Sequence, residues 1–292
     1  MQVMKNDTQV IDKNFMDKQI DFIKNKPIGI HTGFVDLDYQ WGGLKKGDTY
    51  LIAARPAMGK TAFILNMMLH MAIKEEKKVA LFSLEQSKEM IVNRMLAIDS
   101  RVEDYLLRKE KLEDSEWEML VQSAGNIANS NLIINDTPGI DVDSLDRELS
   151  SDAMKGVEVV FIDYLQLLTA DHAANSRQME TYFICERIKQ IAVKHDVAVI
   201  VLSQLSRSVE TREDHRPLIS DFRDKKTANY FDNVSFIYRD EYYDNLTEYK
   251  GIAEIITARN KYGSRGVVNL AWLPELQKFC NLEKGYWEDE EE

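Results

Sequence analysis

The segment Ala54-Arg55-Pro56-Ala57-Met58-Gly59-Lys60-Thr61 follows an apolar run over Thr49–Ala54 and leads into an apolar, helix-patterned stretch over 60–73. A turn from strand into helix aims backbone N–H groups and the positive end of the helix dipole at one point, which suits an anion. Lysine at that turn adds a full positive charge, and the hydroxyl after it can ligate Mg²⁺, so the spacing is that of a phosphate-binding Walker A loop. Ala54 stands where the general motif has its first glycine, so a bare pattern search passes over this loop. Lys60 is the expected partner of β- and γ-phosphate oxygens, and Thr61 the expected metal ligand. ATP or another nucleoside triphosphate, with Mg²⁺, is the implied cofactor pair.

Holding phosphates does not hydrolyse them; an acid to position the metal and a base to activate water are also needed. Val159-Val160-Phe161-Ile162-Asp163 is an apolar strand ending in an acid, the Walker B pattern, which adds Asp163 as second metal-site residue. Leu81-Phe82-Ser83-Leu84-Glu85 repeats the pattern and offers Glu85 as general base. The alternative for Glu85 is a carboxylate stabilising the start of a helix near Ser87. Val199-Ile200-Val201-Leu202-Ser203-Gln204 ends instead in a neutral amide, suited to sense a γ-phosphate by hydrogen bonding.

The elements that must position these groups follow from periodicity. Strands are expected at 49–54, 78–83, 157–162, 197–202, 233–238, 252–257 and 267–273, and helices at 60–73, 87–99, 114–129, 141–154 and 176–194. Runs so rich in Val and Ile, without polar alternation, are buried on both faces, as parallel strands between helices are. The expectation is a three-layer α/β fold whose acids meet the phosphate loop at the carboxyl edge of the sheet. The last strands follow one another through short connections, which predicts an antiparallel edge. Residues 1–27 carry a helical pattern, with Phe15, Ile20 and Ile23, that ends at Lys26-Pro27. Residues 285–292 read as an acidic, solvated tail.

Composition bounds the rest. An apolar fraction of 44% fits a packed globular core, and no run approaches the length of a membrane helix. The polar N-terminus lacks the apolar run of a secretory signal, and Cys185 and Cys280 stand apart with no metal-ligand spacing, both of which fit a cytoplasmic protein. The net charge of −12, from 37 basic and 49 acidic residues, repels a polyanion at long range. Local cation placement, such as a basic channel inside an acidic ring, overrides that average.

Taken in order, the motifs resemble the C-terminal motor domain of DnaB-type replicative helicases, a RecA-like P-loop NTPase, over about residues 28–282. They are Gly29-Ile30-His31-Thr32-Gly33-Phe34 with Asp36-Leu37-Asp38 and Gly42-Gly43-Leu44, the phosphate loop, Ser83-Leu84-Glu85, Asp163-Tyr164-Leu165-Gln166-Leu167, Ser203-Gln204-Leu205-Ser206-Arg207 and Tyr238-Arg239-Asp240. The resemblance implies a homo-oligomer, a hexameric ring that hydrolyses NTP at subunit interfaces and draws single-stranded DNA through its centre. It assigns Lys60, Thr61, Glu85 and Asp163 to the active site, Gln204 to coupling the γ-phosphate with the DNA side, and Arg94 to the base, unless Arg94 is an exposed helical arginine.

A late-strand basic pair reaches the neighbour's site in this family; the matching pair here is Arg259 and Lys261, inverted from the usual lysine-then-arginine order. Guanidinium binds phosphate bidentately and ammonium acts as a point charge, so the inversion leaves open which of the two is the finger. The family's DNA loop matches Asp221-Phe222-Arg223-Asp224-Lys225-Lys226, more basic than usual and without its glycine. Arg223, Asp224, Lys225 and Lys226 are DNA-loop candidates, with a plain solvated loop the alternative for the two lysines. Arg207, Arg212 and Arg216 form a second basic stretch. Family members carry a helical domain before residue 28 that binds primase and a helicase loader, then a linker helix that packs on the adjacent subunit; only the linker-like segment 1–27 is expected here, with assembly correspondingly more dependent on nucleotide and DNA. Two rival readings remain: a recombinase-type DNA-dependent ATPase, and a nucleotide-gated adaptor of a helicase.

Overall fold

The structure, a computed structural model, describes residues 29–109, 112–170 and 176–282. The expected linker-like segment and acidic tail lie outside them. The described residues form a nine-stranded sheet: β1 (Thr49–Ala54), β2 (Val79–Ser83), β3 (Leu132–Asn135), β4 (Val159–Asp163), β5 (Ala198–Gln204), β6 (Asn233–Tyr238), β7 (Ile252–Asn260), β8 (Gly266–Leu273) and β9 (Lys278–Asn281). The order is β3-β2-β4-β5-β1-β6-β7-β8-β9. Pairing is parallel from β3 to β6 and antiparallel from β6 to β9. The expected sheet and its antiparallel edge are both present.

The helices are α1 (Val35–Trp41), α2 (Lys60–Leu69), α3 (Lys88–Ser100), α4 (Asp104–Lys109), α5 (Asp114–Ala128), α6 (Val142–Leu149) and α7 (Arg177–His195), with α2 running on into a π turn over His70–Lys74. Alternation along the central strands divides the core in two. Ile52, Leu81, Phe161 and Ile200 face one way, against Phe63, Ile64 and Met67 of α2 and Ile91 and Met95 of α3. Leu51, Phe82, Val160 and Val199 face the other way, against Leu145 of α6 and Ile184 and Ile188 of α7. Burial on both faces is what leaves a continuous apolar run rather than an alternating one.

Several bounds differ from the pattern. β3 and β9 are four-residue strands, α1 lies between Phe34 and the left-handed Gly42, and α6 ends at Leu149 rather than near 154. β4 and β5 extend beyond their apolar runs to include Asp163 and Gln204 as final residues. Those extensions matter most, because they put both side chains at the carboxyl edge.

Candidate nucleotide site at the carboxyl edge of the sheet

β1 delivers the phosphate loop and β5, β4 and β2 deliver its partners. Ala54 pairs in register with Gln204, and Ser83 with Asp163, so the strands end level with one another. The loop turns through two left-handed residues, Ala57 at φ 63° and Gly59 at φ 95°. Gly59 is required twice over, since that φ disfavours a side chain and a Cβ would meet the Phe279 ring at 3.1 Å. Beyond it Thr61 Oγ1 donates to Asp163 Oδ2 at 2.7 Å. Lys60, Thr61, Glu85, Asp163 and Gln204 line one cavity of about 290 Å³, with Pro56, Ala57 and Gly59 forming its loop wall.

The charges in this cavity are poorly compensated. Burial pushes the Lys60 ammonium below the ordinary lysine range despite attraction from Asp163 and Glu85. Among the described residues its hydrogen bonds go to the carbonyls of Ala54 and Arg55, both at a long 3.4 Å. Burial also raises the Asp163 carboxyl, and repulsion from Glu85 adds to that against the Thr61 hydrogen bond and Lys60. A desolvated cation short of anions beside a desolvated acid short of cations fits a Mg²⁺–triphosphate, which supplies both. Among the described residues no cluster of three His, Cys, Asp or Glu could hold a metal by itself.

Not every residue of the loop turns into the cavity. Ala54 and Met58 are buried in the core. Arg55 turns away, donating to Glu210 Oε1 from Nε at 2.9 Å and Nη2 at 2.6 Å, and to the Leu205 carbonyl from Nη1 at 2.9 Å. Its side chain braces the segment after β5, and only its backbone serves the loop. Arg94 does line the cavity, half-buried, its Nε donating to Gln277 Oε1 at 2.6 Å and its Nη1 to Gln86 Oε1 at 3.0 Å. Sequence reasoning missed Gln86 and Tyr164 as lining residues. The signal available was position, since each directly follows an acid singled out in the sequence, Glu85 just after β2 or Asp163 at the end of β4.

Arg259 and Lys261 occupy the opposite edge. Arg259 pairs with Val234 near the start of β6, and Lys261 reaches Asp48 at 2.9 Å and Asp232 at 3.1 Å, both of which immediately precede strands that run toward the phosphate loop. Six residues of β1 span about 20 Å at roughly 3.3 Å each, so neither group serves the cavity of its own chain. Arg259 donates to the Ala228 carbonyl at 2.8 Å and to Asn229 Oδ1 at 3.2 Å.

The basic stretches divide by commitment. Arg212 chelates the buried Asp221 at 2.6 and 2.9 Å, and Arg216 binds Glu254 at 2.6 Å, so both charges are spent internally. Asp224 accepts from Tyr182 Oη and Gln178 Nε2 and caps the Lys226 N–H, which makes it an anchor for its loop. Arg207, Arg223, Lys225 and Lys226 are exposed.

Comparison with known proteins agrees with this geometry. The profile of the DnaB-like helicase C-terminal domain matches residues 29–281. The replicative DNA helicase DnaC of Bacillus subtilis (strain 168) is 42% identical over 263 residues, covering 88% of this chain and 58% of that protein. The chain thus spans a little over half the length of the curated relatives it matches. A solved DnaB-like replicative helicase, whose structure was described together with its interactions with primase, superposes with a TM-score of 0.85 at 35% identity, over 95% of this chain and 68% of that one. The RadB recombinase, at 16% identity and TM-score 0.56 over 87% of this chain and all of that one, shares the RecA-like fold alone. Since the matched stretch takes in the whole sheet and every residue of the cavity, the chain belongs to the DnaB-like helicase C-terminal domain family.

Proposed function

We propose that this chain is the NTP-hydrolysing motor of a replicative DNA helicase, working as a ring of identical subunits on single-stranded DNA. The observation that carries the reading is the convergence of Lys60, Thr61, Asp163 and Glu85 on one cavity. Backbone N–H groups of the loop and Lys60 hold the β- and γ-phosphates, and Thr61 and Asp163 hold Mg²⁺. When bound, the metal neutralises charge on the phosphate oxygens. Glu85, exposed at the mouth and open to water, takes the proton of the attacking water as it bonds to the γ-phosphorus; the leaving oxygen departs with the diphosphate. Gln204 senses the γ-phosphate, and Arg94, set by two glutamines, contacts the base.

Arg259 and Lys261, at the far edge of the sheet, serve the site of the adjacent subunit, exchanging their contacts within the chain for that subunit's phosphates. The ring has six members on the family pattern. Arg207, Arg223, Lys225 and Lys226 supply cations to the strand in its centre, which reconciles DNA binding with a net charge of −12; Arg212 and Asp224 support them by holding the segments in place. A strand-exchange recombinase shares the fold but has little sequence in common with this chain, and a non-catalytic adaptor has no need of the complete carboxylate set.

ATP turnover with and without single-stranded DNA, and unwinding of a forked duplex, separate these readings. The expected result is turnover stimulated by DNA and unwinding lost in Glu85→Gln. Strand exchange without unwinding favours the recombinase, and turnover indifferent to Glu85→Gln favours the adaptor.

A further inference from the structure

A second cavity, of about 410 Å³, opens beside the nucleotide site, lined by Gln166, Arg177, Gln178, Ser203, Arg223 and Asp224 among others. Between the two cavities stands Gln166. Its Nε2 donates to Ser203 Oγ at 2.8 Å and to the Gln204 carbonyl at 3.3 Å, while its Oε1 accepts the Gln204 N–H at 3.3 Å. One amide thus grips both backbone groups of the residue whose side chain lines the nucleotide cavity. Behind it, Arg177 Nη2 donates to the carbonyls of Gln166 at 2.7 Å and Leu168 at 3.0 Å.

Arg177 is the first residue of α7, and that helix also holds the basic loop. Gln178 and Tyr182 both donate to Asp224, and the Tyr182 ring stacks on Tyr230, centroids 5.6 Å apart. Farther along, Ile184 and Ile188 lock α7 into the core, which leaves its first turns a stiff bracket with one arm on each cavity. The segment Lys225–Tyr230 that the bracket holds also carries the carbonyl of Ala228 and the amide of Asn229 that seat Arg259.

From this we infer that Gln166 and the first turns of α7 are the positioning device through which DNA at the Arg223–Lys226 loop sets Gln204 in the nucleotide cavity. A load on the loop is passed through Asp224 to Tyr182 and Gln178, along the helix to Arg177, and through Gln166 to the Gln204 backbone. Gln166 lines the second cavity and not the first, so its loss spares nucleotide binding itself. The inference rests on the motor reading above and adds the route by which its two sites communicate.

The test is steady-state ATP turnover of the full chain, with and without oligo(dT), together with fluorescence anisotropy of labelled oligo(dT), in the parent, Gln166→Ala, Tyr182→Phe and the double variant. Gln166→Ala is expected to keep basal turnover and DNA affinity within about twofold while the DNA stimulation falls at least fivefold. Tyr182→Phe gives a smaller loss of the same kind, and the double variant is no worse than Gln166→Ala alone, as for two points on one path. Gln166→Glu, which keeps the acceptor for the Gln204 N–H, restores part of the stimulation. DNA affinity lost in step with stimulation would make Gln166 a DNA-binding residue and overturn the inference, as would losses that multiply in the double variant. A stimulated parent with unchanged variants sinks the coupling alone; a parent that DNA never stimulates sinks the motor reading and the coupling with it.

Discussion

The two edges of the central sheet treat charge in opposite ways. At the carboxyl edge Lys60 is half-buried and Asp163 buried with too little to balance them, and each is shifted toward its neutral form. At the amino edge Asp232 is also partly buried, yet hydrogen bonds from Lys189, the Thr49 N–H and Lys261 overcome burial and hold its carboxyl below the usual range. Lys261 in turn is raised, burial being outweighed by its bonds to Tyr262, Asp48 and Asp232. At the amino edge the lysines are paired with Asp48 and Asp232 within the single chain, although Asp48 Oδ2 is left without a hydrogen-bond partner among the described residues, whereas the carboxyl edge is short of counter-charges. Uncompensated charge gathered at one edge marks a site that trades stability for function.

The largest expected break in this contrast is catalytic. Glu85→Gln removes the proposed proton acceptor and should lower turnover about 10²–10⁴-fold with nucleotide still bound. Lys60→Ala should cost about 10²–10³-fold or more, through lost charge stabilisation. Neither should weaken the apo fold, which thermal melts of the variants would check.

Next in size, Asp232→Ala takes one acceptor from the Thr49 N–H and one from each of Lys189 and Lys261, which keep Asp48, and should destabilise the fold by about 1–3 kcal/mol in urea titrations. Asp163→Asn should do the reverse, stabilising the apo fold by about 1 kcal/mol, or roughly 2–4 °C in Tm, while abolishing Mg²⁺-dependent turnover. The pH signs differ accordingly. A carboxyl with a lowered folded pKa contributes stability above its unfolded value of about 3.9 and loses it as pH falls through the folded pKa, the behaviour of Asp232. Asp163, raised, costs stability at neutral pH and ceases to as pH falls through its folded pKa. The advantage of Asp163→Asn over the parent should therefore shrink on acidification while the deficit of Asp232→Ala shrinks too; an advantage that grows would contradict the assignment for Asp163.

The smallest effects belong to the exposed cations. Lys225→Ala and Lys226→Ala should leave stability within about 0.5 kcal/mol. For each DNA phosphate no longer neutralised, the slope of log affinity for single-stranded DNA against log salt should fall by about 0.7.

Much of this was legible in the sequence because the decisive signals are local. Strand-length runs of Val and Ile report burial on both faces, and a Gly-Lys-Thr or a terminal acid reports where such a run meets the carboxyl edge. The four-residue strands β3 and β9 were not legible, being too short to establish a period. Nor was the commitment of Arg55 and Arg212. Each lies in a basic or phosphate-binding stretch, but its partner, Glu210 at 155 positions away or Asp221 across a loop, is set by tertiary structure. The same holds for the partner of Arg94 that is 183 positions away, Gln277.

Calorimetric titration of Mg²⁺–ATP into the parent, Glu85→Gln and Lys60→Ala bears most directly on the carboxyl-edge cavity as the nucleotide site. Comparable binding is expected in the parent and Glu85→Gln, with turnover lowered about 10²–10⁴-fold in the latter, and binding lost in Lys60→Ala. Undiminished binding by Lys60→Ala would place the nucleotide elsewhere and contradict that assignment.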